Sequence, residues 1–207
     1  MSVPRAQVPA PLHGLVLAGG QSRRMRADKA LIDYHGKPQL HWVVELITPW
    51  CTSVRISVRA DQANEPVRAG LPMIVDARVD AGPIAGILAA QACEPDAAWL
   101  VVACDLPFLN ARTLEYLIEQ RASTGIATAY RSAHDGLPEP LCAIWEPASR
   151  PLVAAAVEQE KYCPRSLLAS SGAVLLDLPD ARALDNINTR EELALARSRL
   201  GVEETSA

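Results

Sequence analysis

The stretch Leu15-Val16-Leu17-Ala18-Gly19-Gly20-Gln21-Ser22-Arg23-Arg24-Met25-Arg26-Ala27-Asp28-Lys29-Ala30 decides the fold. An apolar run stops at two glycines, a strongly basic polar segment follows, and the chain then turns apolar again. The apolar run predicts a buried strand. Paired glycines can take positive φ and let backbone N–H groups approach a ligand closely. Three arginines and a lysine then fall within seven residues, in a chain whose net charge is −4. Turned N–H groups and cationic side chains both favour anions, so this loop is expected to cradle a polyphosphate.

Outward from that loop, strand and helix patterns alternate. Strands are predicted at 14–18, 53–58, 71–75 and 99–103. Helices are predicted at 39–48, where Leu40, Val43, Val44 and Ile47 share one face, at 83–92, and at 111–122. Residues 99–103 are continuously apolar, as in a central parallel strand buried on both faces. The second half reads as strands at 126–130 and 141–145 flanking a polar loop, His134-Asp135-Gly136-Leu137-Pro138-Glu139-Pro140. Helices at 148–159 and about 165–169, a strand at 174–178 and a last helix follow; Thr189 is the N-cap of that helix and Glu192 completes a capping box. The expected fold is α/β: a Rossmann-like three-layer αβα architecture with a mostly parallel central sheet. A loose arm is expected over 1–12 and a frayed tail over 201–207. Between them lies one domain, 13–200, with a nucleotide half (about 13–122) and an acceptor half (about 123–200).

Composition narrows the function. Hydrophobic content of 49% supports a full core, and aromatic content of 4% makes that core aliphatic. The net charge of −4, with both signs spread along the chain outside the loop, gives no support to nucleic acid as a partner. No apolar run is long enough to span a membrane, and no secretory signal opens the chain, so a cytoplasmic enzyme is expected. The five cysteines lack metal-ligand spacing and are expected to be buried reduced thiols.

Ligands of open parallel sheets bind beyond the carboxyl ends of the strands. The residues just past the first four strands are Gly19 and Gly20, Arg59, Asp76 and Asp105. Glycines, a cation and two carboxylates on one edge suit a metal–nucleotide site. Asp105 follows an apolar strand and precedes a proline. It could simply cap a turn, but beside a basic glycine-rich loop a Mg²⁺ carboxylate is the better reading. Lys29 could be a solvated lysine or could reach phosphates. Asp76 could be a turn residue, Gly82 and Gly86 could serve only a tight turn and close packing, and Asn186 and Asn188 could be loop caps or neutral metal or phosphate ligands. Of the four histidines only His134, in a polar loop, is placed where it could contact a ligand, and an ordinary loop histidine is the better reading. P-loop, dinucleotide, GxSxG and HExxH signatures are all missing.

The opening loop, with Gly82-Pro83-Ile84-Ala85-Gly86, Cys104-Asp105-Leu106-Pro107, and Asn186-Ile187-Asn188-Thr189 before Glu191-Glu192-Leu193, resembles the nucleotidyltransferases of the MobA type, the molybdenum cofactor guanylyltransferases. The resemblance spans about residues 13 to 200. It implies transfer of GMP from GTP to the phosphate of molybdopterin with Mg²⁺ as cofactor and pyrophosphate as product. GTP is favoured over CTP by the Leu-Ala-Gly-Gly and Gly-Pro-x-Ala-Gly forms. It also implies contacts with a molybdoenzyme or a chaperone. The expected catalytic residues are Lys29, Arg24 and Asp105. Nucleotide contacts are expected from Leu17, Ala18, Gly19, Gly20, Ser22, Arg23, Lys29, Arg59, Asp76, Gly82 and Asp105. The acceptor is assigned to Pro140, Asn186 and Asn188, and the metal to Asp105 and Asn188. Three positions depart from the family pattern: Arg26 in place of glycine, Arg59 in place of asparagine, and Glu139 before Pro140 in place of histidine. A sugar-phosphate nucleotidyltransferase and a non-catalytic nucleotide- or cofactor-binding relative are the rival readings.

Overall fold

The computed structural model describes residues 8–19, 28–76, 81–187 and 189–201, with the backbone alone for Arg190. Seven strands form one sheet in the order β3-β2-β1-β4-β6-β5-β7. They are β1 (Leu12–Leu17), β2 (Val54–Val58), β3 (Met73–Val75), β4 (Ala98–Ala103), β5 (Ala127–Arg131), β6 (Pro138–Trp145) and β7 (Val174–Leu176). Among the described residues six α-helices accompany them: α1 (Gln39–Ile47), α2 (Pro83–Cys93), α3 (Ala111–Glu119), α4 (Arg150–Glu158), α5 (Pro164–Ser170) and α6 (Arg190–Leu200).

The sheet is parallel except for β6, which runs antiparallel to both β4 and β5. All six residues of β4 are buried, as its unbroken apolar sequence requires of a strand covered on both faces. One core lies between the sheet and α1 and α3, with Leu40, Val43, Ile47, Leu114 and Leu117. A second lies under α2, α4 and α5, with Ile84, Ile87, Val153 and Leu168. A small third cluster of Ile32, Tyr34, Ile187 and Ala196 docks α6 against the segment after Lys29.

Several boundaries move from their expected places. Leu12 opens β1, and Pro11 O accepts from Ala98 N while Ala10 O accepts from Arg121, so the arm is anchored from Ala10 onward. α3 ends at Glu119 and β7 at Leu176. Pro138, Glu139 and Pro140, expected in a loop, form the start of β6, where a register shift opposite Ala129 and Tyr130 absorbs extra residues. Gly201, assigned to a frayed tail, is the left-handed cap of α6, with φ of 71°. The expected capping box of Thr189 and Glu192 is present. Cys104 and Cys142 are buried and Cys51 is half-buried, whereas Cys93 and Cys163 are exposed, against the expectation of uniformly buried thiols.

Candidate active site

Along β3, β2, β1 and β4 the strand ends carry Asp76, Arg59, Gly19 and Asp105 in a row. This juxtaposition follows directly from strand order, because parallel strands all end on the same edge. β6 enters the sheet at that same edge, so Glu139 and Pro140 lie next to the end of β4.

Lys29 and Asp105 meet at the end of the row. Lys29 opens a 3-10 turn, Lys29–Leu31, whose N-cap Asp28 accepts the N–H of Ala30 on its carboxylate. Its ammonium donates to Asp105 Oδ2 at 2.8 Å, and both side chains are largely buried. His35 Nε2 donates to Pro107 O at 3.0 Å and stacks on Trp42, fixing the turn that carries Asp105.

At the other end, Asp76 Oδ1 accepts from Ser57 Oγ at 2.7 Å. Burial pushes the Asp76 carboxyl above the ordinary carboxylate value, and the Ser57 hydrogen bond opposes that only in part. Arg59 holds Asp61 through two hydrogen bonds, at 2.9 and 2.6 Å, and reaches Gly19 O at 3.4 Å. Gly19 lacks the positive φ its place in the loop suggested. A Cβ on it would sit in ordinary contact, 3.5 Å from Arg59 Cγ and 3.7 Å from Asp76 Oδ2, so described neighbours do not themselves demand glycine. Ala18, an expected nucleotide contact, is buried with both backbone polar groups engaged: its N–H donates to Ser57 O and its carbonyl accepts from Arg68.

Gly82 has φ of 65° at the N-cap of α2, a conformation that L side chains rarely adopt. At Gly86 a Cβ would stand 2.3 Å from Ser57 Oγ and 3.0 Å from Leu17 Cδ2. The Gly82–Gly86 motif therefore lets the first turn of α2 press on β1 and β2 beneath Asp76.

Beyond β6 an open cleft of about 410 Å³ is lined in part by Ser132, His134, Glu139, Arg165, Asp185 and Asn186. Arg165 bridges Asp135 and Glu139 at 2.8 and 3.0 Å, and His134 meets Asp185 at 2.8 Å. Asn186 lines this cleft. Pro140 does not: it is buried within β6, its carbonyl accepting from Trp145 Nε1, and Glu139 lines the cleft instead. Gly20, Ser22, Arg23, Arg24, Arg26 and Asn188 lie outside the described residues. No group of three or more potential acidic, His or Cys metal ligands occurs among the described residues. Asp105, at the end of β4, would suit a Mg²⁺ ion that draws most of its oxygens from phosphates and water.

Sequence reasoning missed Arg68. It carries a long polar side chain in an unremarkable connection, yet it is fully buried, bonded to Ala18 O and Asp28. Its neighbourhood held no motif that could have marked it.

A parallel-sheet edge of this build, with a glycine loop, a lysine–aspartate pair and an adjoining cleft, is the architecture of a nucleotidyltransferase. The family model described as MobA-like NTP transferase domain matches residues 14–174, and the chain belongs to that family. It is 34% identical to a molybdenum cofactor guanylyltransferase of Cereibacter sphaeroides, across 91% of this chain and 97% of the relative. A molybdenum cofactor biosynthesis bifunctional protein of Synechocystis sp. is 37% identical over 88% of this chain, which spans about half of that protein's length (52%). Among solved structures, molybdopterin-guanine dinucleotide biosynthesis protein A of Archaeoglobus fulgidus superposes with a TM-score of 0.75 at 26% identity, covering 92% of this chain and all of that one.

Proposed function

We propose that the protein transfers GMP from GTP to the terminal phosphate of molybdopterin, releasing pyrophosphate. The observation that carries the reading is the Lys29–Asp105 pair at 2.8 Å, set between a glycine-ended strand and an open polar cleft. The names of the relatives favour guanylyl transfer to a molybdopterin acceptor.

The chemistry asks the protein for placement and charge neutralisation. An oxygen of the acceptor phosphate attacks the α-phosphorus, and the bond to the β-phosphate oxygen breaks with its electron pair, leaving as pyrophosphate. A phosphate monoester has a second pKa of about 6, so the nucleophile is already mostly dianionic near neutral pH and needs no protein base. Asp105 would hold Mg²⁺, whose charge when bound polarises the phosphate oxygens. Lys29 offsets the negative charge that Asp105 and the phosphates bring together, and it stabilises the departing pyrophosphate. Asp76 accepts hydrogen bonds from the nucleotide, with Ser57 and Gly86 setting its position. Arg23 and Arg24 add positive charge along the phosphates. The acceptor occupies the cleft beside Glu139 and Asn186. A reducing cytoplasm suits the exposed thiols of Cys93 and Cys163.

Pyrophosphate release tests the reading. GTP with molybdopterin supports turnover, whereas ATP, CTP and UTP do so poorly; turnover with sugar phosphates and none with molybdopterin would replace the acceptor. Absence of pyrophosphate release with every pair would leave a binding protein in place of an enzyme.

A further inference from the structure

Arg68 is the largest charged side chain that the fold buries completely. It lies in the 3-10 turn Pro66–Arg68 between β2 and β3, a turn pinned to α1 by His41 Nε2 donating to Val67 O at 2.7 Å. Its guanidinium divides its donors. Nη2 donates to Ala18 O at 2.8 Å, at the end of β1. Nη1 donates to Asp28 Oδ2 at 2.8 Å, next to Lys29, and also to the carboxylate of Glu65. Nε is buried with no partner among the described residues.

Ala18 and Asp28 are the two ends of the glycine- and arginine-rich loop, residues 19–27. A single planar guanidinium thus ties both ends to one rigid point, a task its fork geometry suits and a lysine's point charge does not. It also pairs Asp28, a carboxylate that would otherwise repel a polyphosphate held by the same loop. Burying a charged group with one donor unmatched costs stability, and an apolar side chain would fill the space more cheaply. We propose that Arg68 is a positioning residue for nucleotide binding: it holds the loop ends in the spacing that admits the triphosphate and so places Lys29 on Asp105. The inference rests on the nucleotide reading above.

The test compares Arg68→Lys, Arg68→Met and Asp28→Asn with the unaltered protein. GTP affinity is measured by titration calorimetry without acceptor, kcat and KM by pyrophosphate release, and folding by thermal unfolding. Arg68→Met raises the Kd and KM for GTP about tenfold or more while kcat at saturating GTP stays within about threefold, because nucleotide binding must then order the loop ends itself. Arg68→Lys, able to reach one end, gives a smaller rise in the same direction. Asp28→Asn, which keeps the tie to Ala18, also loses GTP affinity. Wild-type Kd and KM in Arg68→Lys and Asp28→Asn would overturn the proposal, as would a loss confined to the thermal midpoint or to kcat. If Arg68→Met does not fold, the other two variants decide. An unaltered protein that binds no GTP removes the nucleotide reading itself; one that binds GTP while the variants match it removes only the role of Arg68.

Discussion

Lys29 and Asp105 are separated by 76 positions in the chain and by 2.8 Å in space. Replacing Asp105 by alanine leaves Lys29 without this anion and removes the carboxylate proposed to hold Mg²⁺. Turnover should fall by about a thousandfold or more, a loss of several kcal/mol of transition-state stabilisation, in saturating Mg²⁺. Circular dichroism should be unchanged; residual wild-type-like turnover would remove Asp105 from the chemistry. Lys29→Ala is expected to lower kcat/KM for GTP by about 10²-fold or more, since it removes the cation proposed to meet the phosphates. An effect seen only in the acceptor's KM would contradict that role. Asp76 gives a pH-dependent test. Its folded carboxyl titrates above the ordinary value of 3.8 because burial disfavours the charged form. The folded state therefore binds more protons than the unfolded state between the two values. The stability contribution is present below the unfolded value and is lost as pH rises through the folded one. Asp76→Asn should thus unfold at a higher temperature than the unaltered protein at neutral pH, with the gap closing in acid, while its GTP affinity is weaker. A variant less stable at neutral pH would reverse the sign and refute the burial argument.

Among the elements, α2 shows how a packing requirement and the proposed nucleotide contact share one motif. Gly86 lies against Ser57, and Ser57 in turn holds Asp76. Gly86→Ala places a methyl 2.3 Å from Ser57 Oγ if nothing moves. The expected outcome is a loss of about 1–3 kcal/mol in urea unfolding, the usual cost of overpacking, together with a raised KM for GTP. Adding Ser57→Ala should recover much of the stability but not the affinity, because Asp76 has lost its donor. Recovery of both would show that Asp76 does not need Ser57. The β1, β2, β4, α1 and α2 segments were legible because apolar periodicity and glycine or proline punctuation mark them locally. The start of β6 was not. Two prolines in Pro138-Glu139-Pro140 read locally as loop, and only pairing with β5 across a register shift makes the segment a strand.

In the whole molecule, the candidate site lies at the edge where the parallel strands end, and a set of ion pairs lies at the edge where they begin, the lower edge. The lower edge carries His13, which meets Ser53 and Glu94, and Arg55 paired with Glu94. It also carries Arg121, which holds the buried Glu146 through two hydrogen bonds and binds Ala10 O. Glu146→Ala strands a largely buried arginine, so about 3–5 kcal/mol of stability should be lost in denaturant unfolding. KM for GTP below the unfolding temperature should stay unchanged, since the pair is a strand length away from Asp105; a matching rise in KM would show that the edges are coupled. The third core, Ile32, Tyr34, Ile187 and Ala196, serves the other edge by bringing the segment after Lys29 against the one containing Asn186. What the amino-acid sequence determined by itself was the alternation of strands and helices, the strand-end residues Gly19, Arg59, Asp76 and Asp105, and the family to which their motifs belong. Those are local properties, written in periodicity, turn residues and spacing. Only the tertiary structure decided that Lys29 pairs with Asp105, that Pro140 turns into the core while Glu139 faces the cleft, and that Arg68 ties the loop ends. Each of these depends on contacts between residues far apart in the chain, and a side chain's partner across the fold leaves no periodic mark at its own position.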